Sequence, residues 1–206
     1  IDKLVISKIP LFMKNVQHLL KTQNNIDISN LQVDHICYRC NTKTEYIDMK
    51  DHLENCGATL LVESMINGRP ISIFKFSNGI QYDNGKVELL ELPCPSNNNK
   101  YSSGLQHIEV VLPPRTNNTT TSVSDSSINK QPFLDDTVLD EFMKVHASTN
   151  NRNTSTNNRN NMKYNKKSIN SDIEITFSNT GKECLFDKMS CKFHAASLED
   201  VVSYEI

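Results

Sequence analysis

The feature that most constrains this 206-residue chain is a stretch that occurs twice. Val33-Asp34-His35-Ile36-Cys37-Tyr38-Arg39 and Leu105-Gln106-His107-Ile108-Glu109-Val110-Val111 both read as strands, each with one histidine followed directly by a β-branched residue. Each follows turn-prone residues and precedes a break that can lead into a helix. Two such strands predict a doubled module with a site shared between its halves.

The residues after the first copy fill in that module. Thr42-Lys43-Thr44-Glu45 matches a capping box. Tyr46, Met49, Leu53 and Cys56 then share one helix face, and Gly57 suits a left-handed helix end. Thr59–Met65, Pro70–Ser77 and Lys86–Leu92 are predicted strands, the last stopped by Pro93 and Pro95. Asn67-Gly68, Asn78-Gly79 and Asp83-Asn84-Gly85 are the turn signals between them. The first half is thus β-α-β-β-β. Upstream, Leu4, Ile9, Phe12, Val16 and Leu20 recur at helical spacing, with Pro10 as a break or restart and His18 on the outer surface.

The second half offers a strand at Leu105–Leu112, a helix at Pro132–Val145, strands at Asp172–Ser178 and Ser190–His194, and a short helix capped by Ser197. Its second strand has no clear counterpart unless it lies near Met162–Ser168. The expected fold is α+β: paired β-α-β-β-β modules forming a cupped mixed sheet, with flanking N- and C-terminal helices. The expected layout is a single domain, with an N-terminal helical segment over 1–30 and modules over 31–96 and 104–206. Low-complexity inserts over 114–131 and 147–171 interrupt the second module. Their Asn, Ser and Thr runs predict disorder.

Composition narrows the function classes. With 22 basic and 24 acidic residues the net charge is −2, which does not favour nucleic acid. The one basic piece, Lys163-Tyr164-Asn165-Lys166-Lys167, reads as solvated linker. No apolar run is long enough to span a membrane. The start, Ile1-Asp2-Lys3, has no signal-peptide pattern and no Met, and reads as a fragment whose true start lies upstream. Six scattered cysteines do not form a disulfide framework, which implies a reducing, cytoplasmic setting. The expected partner is a small-molecule substrate or ligand, bound by a monomer or homodimer.

Alternation along strands sorts the candidate site residues. His35 shares a face with Cys37 and Arg39, His107 with Glu109, Glu91 with Leu89 and Val87, and His194 with Lys192. Closing two modules into a cup brings His35, Glu91, His107 and His194 towards one centre. Three imidazoles and a carboxylate suit a borderline divalent ion such as Zn, Ni, Co, Mn or Fe(II). The rival to Glu91 is Glu88, which points the other way. Cys37 and Cys40 have C-x-x-C spacing, but three residues apart on a strand they face opposite ways and cannot share one ion.

These residues also carry a resemblance. Asp34-His35-Ile36, Ser64-Met65-Ile66-Asn67-Gly68-Arg69-Pro70-Ile71, Glu91-Leu92-Pro93-Cys94-Pro95, Gly104-Leu105-Gln106-His107-Ile108-Glu109-Val110-Val111-Leu112-Pro113, and Lys192-Phe193-His194 followed by Ser197-Leu198-Glu199-Asp200-Val201-Val202 resemble the YecM-like family of the vicinal oxygen chelate (glyoxalase/bleomycin-resistance) superfamily. The resemblance runs in order from the N-terminal helix to the C-terminal one. It places the superfamily's metal ligands on His35, Glu91, His107 and His194. It implies a fold and a site location more than an activity. The Asn-rich inserts and the missing strand of the second module depart from the family's pattern.

Around the expected ion, Glu109 is a general base, a partner of a ligand histidine, or the salt-bridge partner of Arg39. Arg39 suits a substrate carboxylate. His194 is a fourth ligand or a proton shuttle. The main expectation is a metal-dependent isomerase, lyase or oxygenase. The alternative is a non-catalytic small-molecule binding module using the same cup, and a weaker third is an interaction protein associating through its Asn-rich segments.

Overall fold

In the computed structural model, residues 4–83, 85–96, 102–113, 137–149, 161–167, 170–177, 186 and 188–205 are described. Their elements run α1 (Leu4–Asn24), β1 (Val33–Arg39), α2 (Lys43–Asn55), β2 (Ala58–Ile66), β3 (Arg69–Tyr82) and β4 (Gly85–Pro93). Then follow β5 (Gly104–Val111), α3 (Thr137–Thr149), β6 (Met162–Asn165), β7 (Asp172–Phe177), β8 (Met189–His194) and α4 (Leu198–Glu205). The strands form one sheet in the order β2-β3-β4-β1-β5-β8-β7-β6. β1 and β5 are antiparallel neighbours at its centre, while β1·β4 and β5·β8 are parallel. The sheet is therefore two β-α-β-β-β modules joined along β1 and β5, related by an approximate two-fold axis between them. Among the described residues, no helix is long and apolar enough to cross a membrane.

Local sequence explains most of these elements. Thr42 Oγ1 accepts from the Glu45 backbone N–H at 3.1 Å, while Glu45 reaches back to the Asn41 N–H at 2.7 Å, one residue beyond the expected box. Tyr46, Met49 and Leu53 are buried on the sheet, whereas Cys56, expected on that face, is exposed. Gly57 takes φ +84°, as its place after the helix requires. Ser197 Oγ accepts from the Asp200 N–H at 3.1 Å and starts α4.

Three expectations need correction. α1 runs unbroken through Pro10. Pro10 lies in the second turn of the described helix, past the four free N-terminal N–H groups, so α1 continues with one backbone bond, to the Ile6 carbonyl, missing. Asn78-Gly79 is not a turn: β3 continues through it to Tyr82, with a register shift between Lys75 and Ile80. Gly79 at φ +64° supplies the left-handed residue that a bulge needs. The insert expected over 147–171 contains the end of α3 and all of β6, which is the second strand and lies in the Met162–Ser168 stretch where the sequence allowed it. Met162 pairs with Ile175 and Tyr164 with Ile173 there. The insert expected over 114–131, Pro132 and Cys184 lie outside the described residues.

α1, α2 and α3 cover one face. Ile9, Phe12, Met13, Val16 and Leu20 of α1 share a core with Ile36, Phe74, Leu90, Ile108 and Phe193 of the strands. Val87, expected beside Leu89 and Glu91, also belongs to this core. Phe193 is fully buried, and its ring lies 4.5 Å, centroid to centroid, from that of Phe142 on α3. Phe193→Ala should destabilise the fold by about 3–5 kcal/mol, measured by urea unfolding. A cost below ~1 kcal/mol would show that this contact does not secure the second module.

The opposite face is the cup. A small apolar patch of Ile71, Ile73 and Leu89 floors it on the first-module side, and Leu198 of α4 packs on that patch. The Leu198 N–H donates to Asp34 Oδ2 at 2.9 Å, and Lys75 pairs with Glu199 at 2.8 Å. These contacts fix the first turn of α4 over the cup beside β1.

Candidate metal centre

Register decides which side chains meet in the cup. Glu91, Cys37, His107 and Ser190 lie on one row across β4, β1, β5 and β8. Leu89, His35, Glu109 and Lys192 lie on the next. His194 is one step further, opposite Val111. Alternation along β1 and β5 points His35 and His107 into the cup, while Ile36 and Ile108 enter the helix-side core.

His35, Glu91, His107 and Glu109 each bring a ligand atom into one group, all within 4.8 Å of one another. His35 Nε2 lies 3.7 Å from Glu91 Oε2 and 3.5 Å from Glu109 Oε2. His107 Nε2 lies 3.6 Å from Glu91 Oε2 and 3.2 Å from Glu109 Oε1. Glu88, the rival carboxylate, pairs instead with Lys86 and with Lys75.

The outer nitrogen of each ring is tied. His35 Nδ1–H donates to Asp34 Oδ2 at 2.8 Å, and His107 Nδ1–H donates to Gln106 Oε1 at 3.2 Å. Oxygen acceptors there place the proton on Nδ1, so both Nε2 atoms face the centre with a donor pair for an ion. Arg39 Nε donates to the same Gln106 oxygen at 2.6 Å. Arg39 therefore steadies the partner of His107, and the cation paired with Glu109 is Lys192. Strand parity missed Asp34 and Gln106, since a residue beside a strand histidine faces away. Their signal is positional: an acceptor directly precedes each histidine.

Lys192 was also missed as a site residue. Its Nζ lies 2.8 Å from Glu109 Oε1 and 3.2 Å from His107 Nε2. His194 is 5% exposed. Its Nε2 sits 2.6 Å from Glu109 Oε2 but off the line of a hydrogen bond, so both ring nitrogens lack a hydrogen-bond partner among the described residues. Cys37 stands on the cup face between Glu91 and His107. Burial, reinforced by Glu91, pushes its thiol well above its ordinary value, so it offers no thiolate. Cys40 lies in the core on the other face, and the two cysteines do not form a pair.

The electrostatics follow from crowding. Burial alone would lower the His35 pKa, but Glu109, Asp34 and Glu91 hold it well above the ordinary value. Burial would raise Glu91, but His107 and His35 keep its carboxyl well below the usual range. Glu109 is likewise held well below that range against burial, by His35, Lys192 and His194.

The donor set fits a divalent ion. Ligands about 2.1 Å from a tetrahedral ion stand roughly 3.4 Å apart, close to the 3.2–3.7 Å separations between the carboxylate oxygens and imidazole nitrogens here. Glu91 Oε2 is too far from either imidazole for a hydrogen bond, as expected of donors arranged around an ion. Asp34→Ala should weaken zinc binding about 10–100-fold by freeing the His35 ring, read by competition with a chromophoric chelator. An unchanged affinity would show that Asp34 serves only to anchor α4.

Beside the centre, a cavity of about 650 Å³ lies between the first turn of α4 and strands β1, β4 and β5. Asp34, Leu89, Lys86 and Glu199 are among its walls. None of the four grouped residues lines it; of its walls, Asp34 bonds His35 and Leu89 lies opposite His35 on β4.

Comparison with known proteins accords with this architecture. The family profile described as YecM protein matches residues 2–205. Protein YecM of Escherichia coli K12 is 36% identical over 115 residues, 55% of this chain and 60% of that protein. An uncharacterized protein of Haemophilus influenzae Rd is 32% identical over 103 residues, 50% of this chain and 53% of that protein. The chain thus spans a little over half the length of these curated relatives. A solved structure described as Structural Genomics, Protein EC4020, aligns with a TM-score of 0.66 and 25% identity, covering 99% of this chain and 92% of that one.

Proposed function

This chain belongs to the YecM family, and from that premise we propose that it is a metal-dependent enzyme of the vicinal oxygen chelate type acting on a small molecule. The observation that carries the reading is the meeting of His35 Nε2, His107 Nε2 and Glu91 Oε2 at 3.6 and 3.7 Å, with each ring's other nitrogen tied to an acceptor. These three residues would hold a divalent ion, with Zn, Ni, Mn and Fe(II) all suited to the donor set. Such an ion, when bound, polarises a carbonyl oxygen or activates water. Isomerase, lyase and oxygenase chemistry all draw on that property.

The chain's own residues supply the remainder. Glu109 is held too acidic to be an effective base near neutral pH, so its role is that of a fixed negative charge facing the ion. His194 Nε2, buried without a hydrogen-bond partner among the described residues and in contact with Glu109, is the group that moves a proton to and from substrate. Arg39 acts through Gln106, keeping His107 in the ligand tautomer. Leu198 of α4 covers the apolar patch of Ile71, Ile73 and Leu89 on the first-module side. The proposed setting is a reducing cytoplasm, with the protein as monomer or homodimer.

A second reading, a binding module without catalysis, draws on one observation. The Lys192–Glu109 pair already places opposite charges at the centre of the cup. The two readings separate on metal-loaded protein in deuterated water with a panel of small carbonyl and carboxylic acids. The enzyme reading predicts metal-dependent deuterium incorporation or oxygen uptake that His194→Gln abolishes. Ligand binding without turnover, unchanged by metal removal, would favour the binding module.

A further inference from the structure

We infer that the fourth protein donor at this centre is Glu109, on β5, and that Lys192 stands where the repeat would place that donor. The inference rests on the metal-dependent reading above and deepens it. The two-fold relation between modules can be read rung by rung. His35 corresponds to His107, and Cys37, two residues on, corresponds to Glu109. In the first module, Glu91 of β4 is the residue opposite Cys37. In the second, the residue opposite Glu109 is Lys192 of β8. Lys192 is thus the counterpart of Glu91, and His194 lies two residues further along the strand.

A lysine at that place would leave the second module without a carboxylate, had the other side of the rung not changed as well. Where the first module has Cys37 facing Glu91, the second has Glu109 facing Lys192. The carboxylate has crossed the rung from the fourth strand to the first, and a cation fills the place it left. The result keeps two imidazoles and two carboxylates in one group. Lys192 Nζ holds Oε1 of Glu109 at 2.8 Å, while Oε2 lies 3.5 Å from His35 Nε2. Lys192 is therefore a positioning residue, which fixes Oε1 and turns Oε2 towards His35, where the buried His194 Nε2 also touches it at 2.6 Å.

The test uses the untagged full chain and zinc or cobalt(II) alone. X-ray absorption of the zinc-loaded wild type should show two imidazoles and otherwise oxygen donors. Three imidazoles would make His194 a ligand and overturn the inference. Glu109→Gln should weaken cobalt(II) binding at least 100-fold, read from the visible d–d bands. The exchanged pair, Glu109→Lys with Lys192→Glu, restores the carboxylate to the fourth strand and should recover affinity to within about tenfold of wild type. Glu109→Gln binding within threefold of wild type would overturn the inference, and so would an exchanged pair no tighter than the single variant. If an exchanged or single variant does not fold, the imidazole count in the wild type decides. A wild type that binds neither ion would instead fail the metal-dependent reading itself, a result separate from any variant's behaviour.

Discussion

Replacing Glu109 with alanine should destabilise the metal-free protein by about 3–5 kcal/mol, because it leaves buried positive charge without its counter-charge. The side chains of Lys192 and Glu109 are 18% and 10% exposed. Their pairing is therefore only weakly screened. Burial would lower the Lys192 pKa, but Glu109 and Glu91 hold it above its ordinary range, so removing Glu109 leaves the buried ammonium with Glu91 as its remaining stabilising carboxylate. His35 loses its largest attractive partner in the same step. In a domain of this size the midpoint should fall on the order of 10 °C. Glu199→Ala is the control, since Glu199 and its partner Lys75 are 57% and 40% exposed. That pair should be worth about 0–1 kcal/mol. A fall for Glu109→Ala no larger than for Glu199→Ala would show that the central pair contributes little to the fold.

The second large effect is a proton-linked gain of metal affinity with pH. In the metal-free protein burial opposes the charge on His35, yet Glu109 and Asp34 hold the ring protonated above its ordinary value. An ion must displace that proton to reach Nε2. Zinc affinity should therefore climb about tenfold per pH unit below the raised value, then flatten above it. The same shift stabilises the metal-free fold fully below about pH 6.5, and that contribution is lost as pH rises through the raised value. Glu109→Gln removes the main attractive charge and should move the flattening point to lower pH. In the His35→Ala, His107→Ala double variant, affinity should fall by more than the roughly 10–100-fold cost of losing one outer hydrogen-bond partner. Calorimetry in buffers of different ionisation enthalpy measures the protons released. An affinity flat from pH 6 to 9 with no proton release would contradict the proposed role of His35.

Much of this architecture is legible in the sequence, and the illegible parts have physical reasons. The doubled histidine strands fix both the pseudo-symmetry and the inward face, since alternation is a property of one strand alone. Along β3, Ile71 and Ile73 fall in the cup-side patch and Phe74 and Phe76 in the helix-side core, as alternation alone requires. What alternation cannot give is the rung. Lys192 and His194 lie on the same face of β8, and only pairing with β5 shows that Lys192 is opposite Glu109. Glycine at positive φ serves a turn and a bulge alike, so Asn78-Gly79 could not reveal which it was. β6 is four residues in an Asn-rich stretch. Its alternating Met162 and Tyr164 are too few to stand out from the polar background, and their pairing with Ile175 and Ile173 is what stabilises them as strand. Asp34 and Gln106 needed side-chain reach, which parity ignores.

The central claim is that the cup holds an ion between its two modules. Elemental mass spectrometry of untagged protein, wild type beside His107→Ala, tests it most directly. After exposure to Zn, Ni, Mn or Fe(II) and removal of excess, the account predicts about one metal per wild-type chain and none in the variant. A wild type that retains no metal from any of the four, or a His107→Ala protein that retains as much as wild type, would contradict it.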